Sequence, residues 1–382
     1  MGEFFICPRC GNSNQKKVGY KNGKPYCRAC ITFSGEEVLY KPNNFVSYKF
    51  DLKYPLTKEQ QDVSRKILSN YQNKIDTLLI AVCGAGKTEL VYNVMSYALK
   101  QKGKVGFAIP RRDVVNEIGE RIKEVFTKNK VVCVYGGCTN DLDGDIICLT
   151  THQLYRYNNF FDLLVVDEID AFPYANNDVL ISFMNRSKRG NIVLMTATPS
   201  KEILEQFSNE DCSILRLNTR FHHHPLPIPK VYKGYSFLKY IILLKQLRRF
   251  IGQHKPVFVF VPTIEMSINI FQFINIFIKN GEYVHSKREN RSDIIKSFKE
   301  GKFSYLVTTA VLERGVTVKD LQVIIFSADH PLYDESTLVQ ISGRVGRKID
   351  APDGEVIFIV DKISKEIEKC IAQIQEANKD LP

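Results

Sequence analysis

The sequence predicts an α/β protein: two parallel-sheet domains in tandem behind a small N-terminal zinc-binding module. Three observations carry this. From Tyr54 onward, short apolar runs alternate with helical-length segments, the pattern of strand and crossover helix. A Pro-rich break interrupts the alternation at 218–230, after which it resumes. Four cysteines crowd the first 30 residues as two C-x2-C pairs. The 382 residues suit two or three domains at about 150 residues each.

The first element in the chain is the polar, turn-rich stretch 1–50, with Gly11, Asn12, Asn22, Gly23 and Pro25 between the cysteine pairs. Tetrahedral zinc needs four soft ligands, and each C-x2-C knuckle presents two thiolates from one tight turn. Cys7, Cys10, Cys27 and Cys30, with 16 residues between the pairs, fit a structural zinc site with no open coordination position. A module this small needs the metal to fold. Eight Lys or Arg against three Glu leave it about +3 once four thiolates and Zn²⁺ are counted. That charge suits contact with a phosphate backbone, and a folding staple or protein-docking role suits it equally.

Next come the predicted strands Leu78–Val82, Val105–Ile109, Ile146–Thr150, Leu163–Val166 and Ile192–Met195, which place the first α/β domain at 51–217. The linker at 218–232 holds His222, His223 and His224, read as a flexible hinge in preference to a metal site. Strands at Val257–Val261, Tyr305–Thr308, Gln322–Phe326 and Val356–Val360 place the second domain at 233–382. Its last stretch, Lys362–Lys379, reads as a charged amphipathic helix packed on that domain.

Composition narrows the class of function. Hydrophobic residues make up 44 % and charged residues 25 %, enough apolar material for more than one core, which excludes wholesale disorder. No run approaches the 18 apolar residues of a membrane span; Ile268–Ile278 is shorter, interrupted by Asn269, Gln272 and Asn275, and reads as a core helix. The N-terminus lacks the basic-then-apolar run of a signal peptide, so the expected compartment is the cytoplasm and disulfides are not expected. The other six cysteines sit mostly in apolar runs and behave as small hydrophobes. A net charge of +11 favours polyanions, although a generically basic surface gives the same number.

The chemistry lies in three motifs. Thr77–Thr88 reads as a strand, a glycine-rich turn and a helix beginning near Glu89. Gly84, Ala85 and Gly86 let backbone N–H groups wrap a phosphate, Lys87 reaches the β- and γ-phosphates, and the Thr88 hydroxyl ligates Mg²⁺. Ala81 stands where the common form has glycine. Phe161–Asp170 is an apolar strand ending in acids, whose natural partner is a magnesium ion. Asp167 would hold that ion, and Glu168 would orient and deprotonate the attacking water. In the second domain, Gln340, Gly343, Arg344 and Arg347 fall at i, i+3, i+4 and i+7, one face if the segment is helical. Two guanidinium groups there suit insertion toward a γ-phosphate as arginine fingers.

Taken in order, Ala81–Thr88, Asp167-Glu-Ile-Asp170, Thr196-Ala-Thr198 and Gln340–Arg347 resemble the motifs of superfamily 2 helicases of DEAD/DEAH-like type. The resemblance spans 55–360 and implies two RecA-like domains that bind ATP and Mg²⁺. Gln60 in Leu56–Gln60 then matches the glutamine that reads adenine. Pro110-Arg111-Arg112 and Thr150–Gln153 match strand-contacting motifs, and Thr308–Gly315 the motif coupling nucleic acid to ATP. Arg111, Arg112, Thr151, Thr263 and Thr309 are the candidate nucleic-acid contacts. More narrowly, the cysteine module before a compact helicase core, with Asp167–Tyr174 around the acids, is similar to the ComFA family of Gram-positive bacteria. That resemblance implies a single-stranded-DNA-stimulated ATPase and translocase driving DNA import in natural transformation. It also implies work with ComFC and other competence proteins, and peripheral association with the cytoplasmic face of the membrane.

Two other readings stand beside it: another superfamily 2 enzyme (a replication-restart DNA helicase or an RNA helicase), and a zinc-dependent nucleic-acid-binding scaffold with a vestigial ATPase. Against the scaffold, every expected catalytic position is filled.

Overall fold

The computed structural model describes residues 5–44, 49–52, 54–169, 177–209, 211–309 and 318–379. The chain divides into two compact units, Met1–Ala81 with Gly86–Leu217, and Val82–Ala85 with Asn218–Pro382. The cysteine module belongs to the first of these.

That module is built on a hairpin, β1 (Val18–Lys21) against β2 (Lys24–Cys27), antiparallel with Val18 opposite Cys27. Asn22 and Gly23 both have positive φ, 51° and 75°, as a two-residue turn matching strand twist demands. The module reaches the rest of its unit through Phe33, whose ring meets Phe183 edge-on at 5.1 Å and stacks on His152 at 6.1 Å. Tyr155 donates its hydroxyl to the Ser34 carbonyl at 2.8 Å, and Arg156 donates to the Glu36 carbonyl at 3.0 Å. The four cysteines are continuous with the core that includes Leu154, Phe160 and Phe183.

The first unit continues with helix α1 (Lys58–Gln72), strand β3 (Asp76–Ala81), α2 (Lys87–Leu90), α3 (Tyr92–Lys100), β4 (Val105–Ile109) and α4 (Arg112–Val125). Then come β5 (Val131–Val134), β6 (Ile146–Thr150), β7 (Phe161–Asp167), α5 (Asp178–Ser187), β8 (Lys188–Thr196), α6 (Lys201–Gln206) and β9 (Cys212–Leu217). Its main sheet has seven strands, all parallel, in the order β5-β6-β4-β7-β8-β3-β9. β4 and β6 are buried along their whole length, as a sheet covered on both faces requires.

The second unit runs β10 (Lys230–Lys233), α7 (Leu238–Gly252), β11 (Val257–Phe260), α8 (Ile264–Phe277), β12 (Gly281–Val284), α9 (Arg291–Lys299) and β13 (Tyr305–Thr308). It closes with β14 (Gln322–Phe326), α10 (Glu335–Ser342), β15 (Val356–Val360) and α11 (Lys365–Lys379). Six parallel strands lie in the order β10-β15-β14-β11-β13-β12. α11 buries Ile367, Cys370 and Ile374, and packs on its own unit as its amphipathic pattern demands. Both sheets are therefore of the expected kind, and among the described residues no helix is long and apolar enough to cross a membrane.

The linker is not a free hinge. The Leu226 N–H donates to Asn378 Oδ1 at 2.8 Å, and Asn378 Nδ2 donates back to the Leu226 carbonyl at 2.9 Å. His222 bonds the Gly346 carbonyl at 2.9 Å. The polar backbone of the Pro-rich stretch finds its partners on the second unit.

Candidate active site and metal centre

In the first unit, every motif falls at the carboxyl ends of the parallel strands, the edge where open α/β sheets bind ligands. The glycine turn leaves β3, Arg111 and Arg112 follow β4, Thr151 follows β6, Asp167 ends β7, and Thr196 ends β8. β7 lies two places from β3, so Asp167 stands on the order of 10 Å across the sheet from the turn at about 4.8 Å per strand.

The turn has the backbone that phosphate binding needs. Gly84 and Gly86 have φ of 86° and 77°, in the region that favours glycine. The helix begins at Lys87 with Gly86 as its cap, two residues before the expected start, and breaks at Val91 before α3. Ala85 and Thr88 are buried. Lys87 Nζ donates to the Ala81 carbonyl at 3.2 Å, holding the ammonium at the strand end.

Gln60 is placed by the start of α1. Thr57 Oγ1 accepts from the Gln60 N–H at 3.3 Å, and Gln60 Oε1 accepts from the Thr57 N–H at 2.9 Å, a reciprocal cap. A Cβ added at Gly86 would stand 2.8 Å from Gln60 Nε2, so the amide lies directly over the glycine turn.

At the end of β7, Asp167 Oδ1 accepts from the Glu168 N–H at 3.0 Å. Glu168 is a non-glycine residue at φ 58°, a strained backbone of the kind that clusters at active sites. Asp170 and the Ala171–Tyr174 stretch lie outside the described residues, as do Ala310–Gly315 of the coupling motif.

The arginine motif departs from expectation. α10 ends at Ser342, so Gln340 is helical but Arg344 and Arg347 sit on the turns that follow. Gly343 caps the helix, Gly346 takes φ 66° further along, and the common helical face does not exist. Gln340 and Arg344 are buried, and Arg347 Nε donates to the Gly343 carbonyl at 2.9 Å.

The nucleic-acid candidates divide. Arg112 is exposed, its guanidinium carbon 5.2 Å from the Tyr135 ring centre, and Arg111 is half-buried at the start of α4. Thr309 is half-buried after β13. Thr263 Oγ1 accepts from the Met266 N–H at 3.1 Å as the cap of α8. Thr151, at the start of the turn after β6, is fully buried. The half-buried His152 beside it stacks on Phe33, and burial pushes its pKa down.

Among the described residues, one cluster has the donors of a metal site, the buried quartet Cys7, Cys10, Cys27 and Cys30. A tetrahedron with arms of about 2.3 Å has edges of about 3.8 Å. The Cys7–Cys30 and Cys10–Cys27 sulfur separations are both 3.7 Å. Burial pushes the Cys10 thiol up to about 11 and Cys30 higher still. Burial also raises Cys27, but backbone N–H groups of Cys30 and Ala29 outweigh it and lower that thiol. Two sulfur pairs at tetrahedral spacing, with all four sulfurs within 4.8 Å of one another, fit zinc.

Comparison with known proteins agrees with this architecture. Residues 53–201 match the family model "Type III restriction enzyme, res subunit", and residues 239–348 match "Helicase conserved C-terminal domain". The fold is shared with S. cerevisiae Dbp5 bound to RNA and ADP BeF3, at a TM-score of 0.64 and 16 % identity over 86 % of this chain and 93 % of that one. The chain is thus a superfamily 2 helicase, a nucleic-acid-dependent ATPase of a class that works with ATP and Mg²⁺. It is 32 % identical to competence protein ComFA of Streptococcus pneumoniae over 99 % of this chain and 91 % of the relative. Identity to competence protein ComFA of Bacillus subtilis is 33 %, over 98 % and 86 %. The chain belongs to the ComFA family of ATP-dependent DNA helicases and translocases of competence.

Sequence reasoning missed one residue at the arginine motif. Arg220, next to the predicted linker and with no motif around it, is buried against the carbonyls of the turn that carries Arg344 and Arg347.

Proposed function

We propose that the chain is a single-stranded-DNA-stimulated ATPase that drives DNA import during natural transformation. Membership of the ComFA family, at near full length, is the observation that carries this reading. Lys87 gives up its bond to the Ala81 carbonyl, worth about 1 kcal/mol, and takes the β- and γ-phosphates. Gln60 reads adenine beside the glycine turn of Gly84, Ala85 and Gly86. Thr88 and Asp167 hold Mg²⁺, which when bound neutralises charge on the phosphates. Glu168 orients the attacking water and accepts its proton. Gln340, Arg344 and Arg347 act at the γ-phosphate, the two arginines as bidentate donors to the charge that develops there. Zinc occupies the cysteine quartet and staples 1–50, ahead of RecA-like domains at 51–217 and 233–382. Arg111, Arg112 and Thr309 contact the strand backbone, as a motor indifferent to sequence requires.

The partners we assign are single-stranded DNA, ComFC and other competence proteins, met at the cytoplasmic face of the membrane. The test is ATP turnover alone, with single-stranded DNA and with matched RNA. DNA should raise kcat well above the basal rate and above RNA. Absence of stimulation by either would remove the motor reading, and preference for RNA would remove the competence role.

A further inference from the structure

Arg220 is 2 % exposed and has no carboxylate partner among the described residues. Burying a guanidinium without a counter-charge is costly, so its donors must all be satisfied some other way. Four of its five N–H groups are spent on backbone. Nη1 donates to the Val345 carbonyl at 3.0 Å and the Gly346 carbonyl at 2.9 Å, and Nη2 donates to the Gly343 carbonyl at 3.3 Å. Nε donates to the Cys83 carbonyl at 3.2 Å, within the same compact unit.

Three of these four acceptors belong to one short turn that follows the last residue of α10, Ser342, near the negative end of the helix dipole. A fixed cation on those carbonyls freezes the turn. His222, two residues along, adds a ring N–H to the Gly346 carbonyl at 2.9 Å. The turn has no slack: a Cβ at Gly346 would stand 2.1 Å from the Pro352 carbonyl oxygen and 3.1 Å from Arg220 Nη1. Arg347 Nε bonds the same Gly343 carbonyl that Arg220 holds. Two guanidinium groups on one acceptor repel. Burial and the Arg347 charge both weaken the hold of Arg220 on its proton, but only to about 10, so it stays a cation at any working pH.

We infer that Arg220 is a positioning residue for ATP hydrolysis: it locks the Gly343–Arg347 turn so that Arg344 and Arg347 project in one fixed geometry. This rests on the reading that those two arginines act at the γ-phosphate. Misplacing a catalytic group by about 1 Å can cost on the order of 100-fold in rate.

The test uses the full chain with saturating single-stranded DNA and the variants R220Q, R220K, R344A, R347A and R220Q/R347A. The readouts are kcat, KM for ATP, the affinity for a fluorescent ADP analogue, and the thermal midpoint. R220Q should lower kcat about 10- to 100-fold and weaken ADP binding by a smaller factor, since ADP lacks the phosphate in question and meets Arg220 only through the Cys83 carbonyl of the glycine turn. R220K, keeping the charge but reaching fewer carbonyls, should fall between. The double variant should lose no more than R347A alone, because both changes remove one function. Wild-type kcat in R220Q, or losses that multiply in the double variant, would overturn the inference while a slow R347A leaves the arginine reading standing. Wild-type kcat in both R344A and R347A would remove that reading, and the inference with it. If R220Q fails to fold, a folded R220K at the full wild-type rate refutes the assignment.

Discussion

Cys27→Ser removes one corner of the sulfur tetrahedron. Two of its edges are 3.7 Å, and among the described residues the four cysteines are the cluster with the donors of a metal site. Structural zinc contributes about 10–16 kcal/mol in modules of this size, which below about 40 residues rarely hold a core of their own. Losing one thiolate therefore undoes the module. The consequence does not stop there, because the half-buried Phe33 covers part of Phe183, Tyr155 and His152. Uncovering on the order of 100 Å² there costs about 2–3 kcal/mol at about 25 cal/mol per Å². That is enough to loosen the 151–156 turn and the start of the helix beyond 177, and too little to melt a seven-stranded sheet. Metal analysis should find one zinc per wild-type chain and none in the variant. Hydrogen exchange should rise across 5–44 and, less strongly, across 151–156 and 178–187, with β3, β4 and β7 unchanged. Zinc retained at one per chain, or exchange rising equally through the central strands, would refute the reasoning.

Lys87→Ala should abolish ATP hydrolysis with little change in thermal midpoint, since among the described residues the side chain bonds only the Ala81 carbonyl; turnover within tenfold of wild type would show the glycine turn is misread. Glu355 accepts from Arg249 Nη1 at 2.8 Å and from Lys230 Nζ at 2.6 Å. Burial raises its pKa, but these two cations outweigh burial and hold it below the ordinary 4.5. The stabilisation is present above about 4.5 and lost as pH falls through the lower folded value. Thermal midpoints from pH 6 to 3 should therefore fall more steeply for wild type than for Glu355→Gln, and parallel profiles would reject this pair as a source of the acid dependence.

Nine strands of the two sheets were legible in the sequence, and the four that were not share one property. β5, β9, β10 and β12 are the outer strands of their sheets. An inner strand is covered on both faces and reads as an unbroken apolar run, as Val105–Ile109 and Val356–Val360 do. An outer strand is half-wet and tolerates polar residues, as Lys230–Lys233 and Gly281–Val284 show, so the same periodicity rule passes over it. The glycine turn and the acid-tipped strand were legible for a different reason: each is a contiguous segment whose chemistry dictates residue types at fixed spacing.

The arginine turn shows where such legibility ends. Reading Gln340–Arg347 as one helical face assumed that two glycines within four residues would be absorbed, at about 1 kcal/mol each. Gly346 takes a positive φ and the helix stops at Ser342. What holds the resulting turn is a side chain 123 residues earlier in the chain than Gly343. Its acceptors are carbonyls, a group every residue carries, so no residue type at any position marks the contact. A phosphate-binding loop selects side chains and leaves a pattern, whereas a guanidinium on backbone oxygens leaves none. Its trace is three-dimensional: a buried cation with no acid paired to it among the described residues.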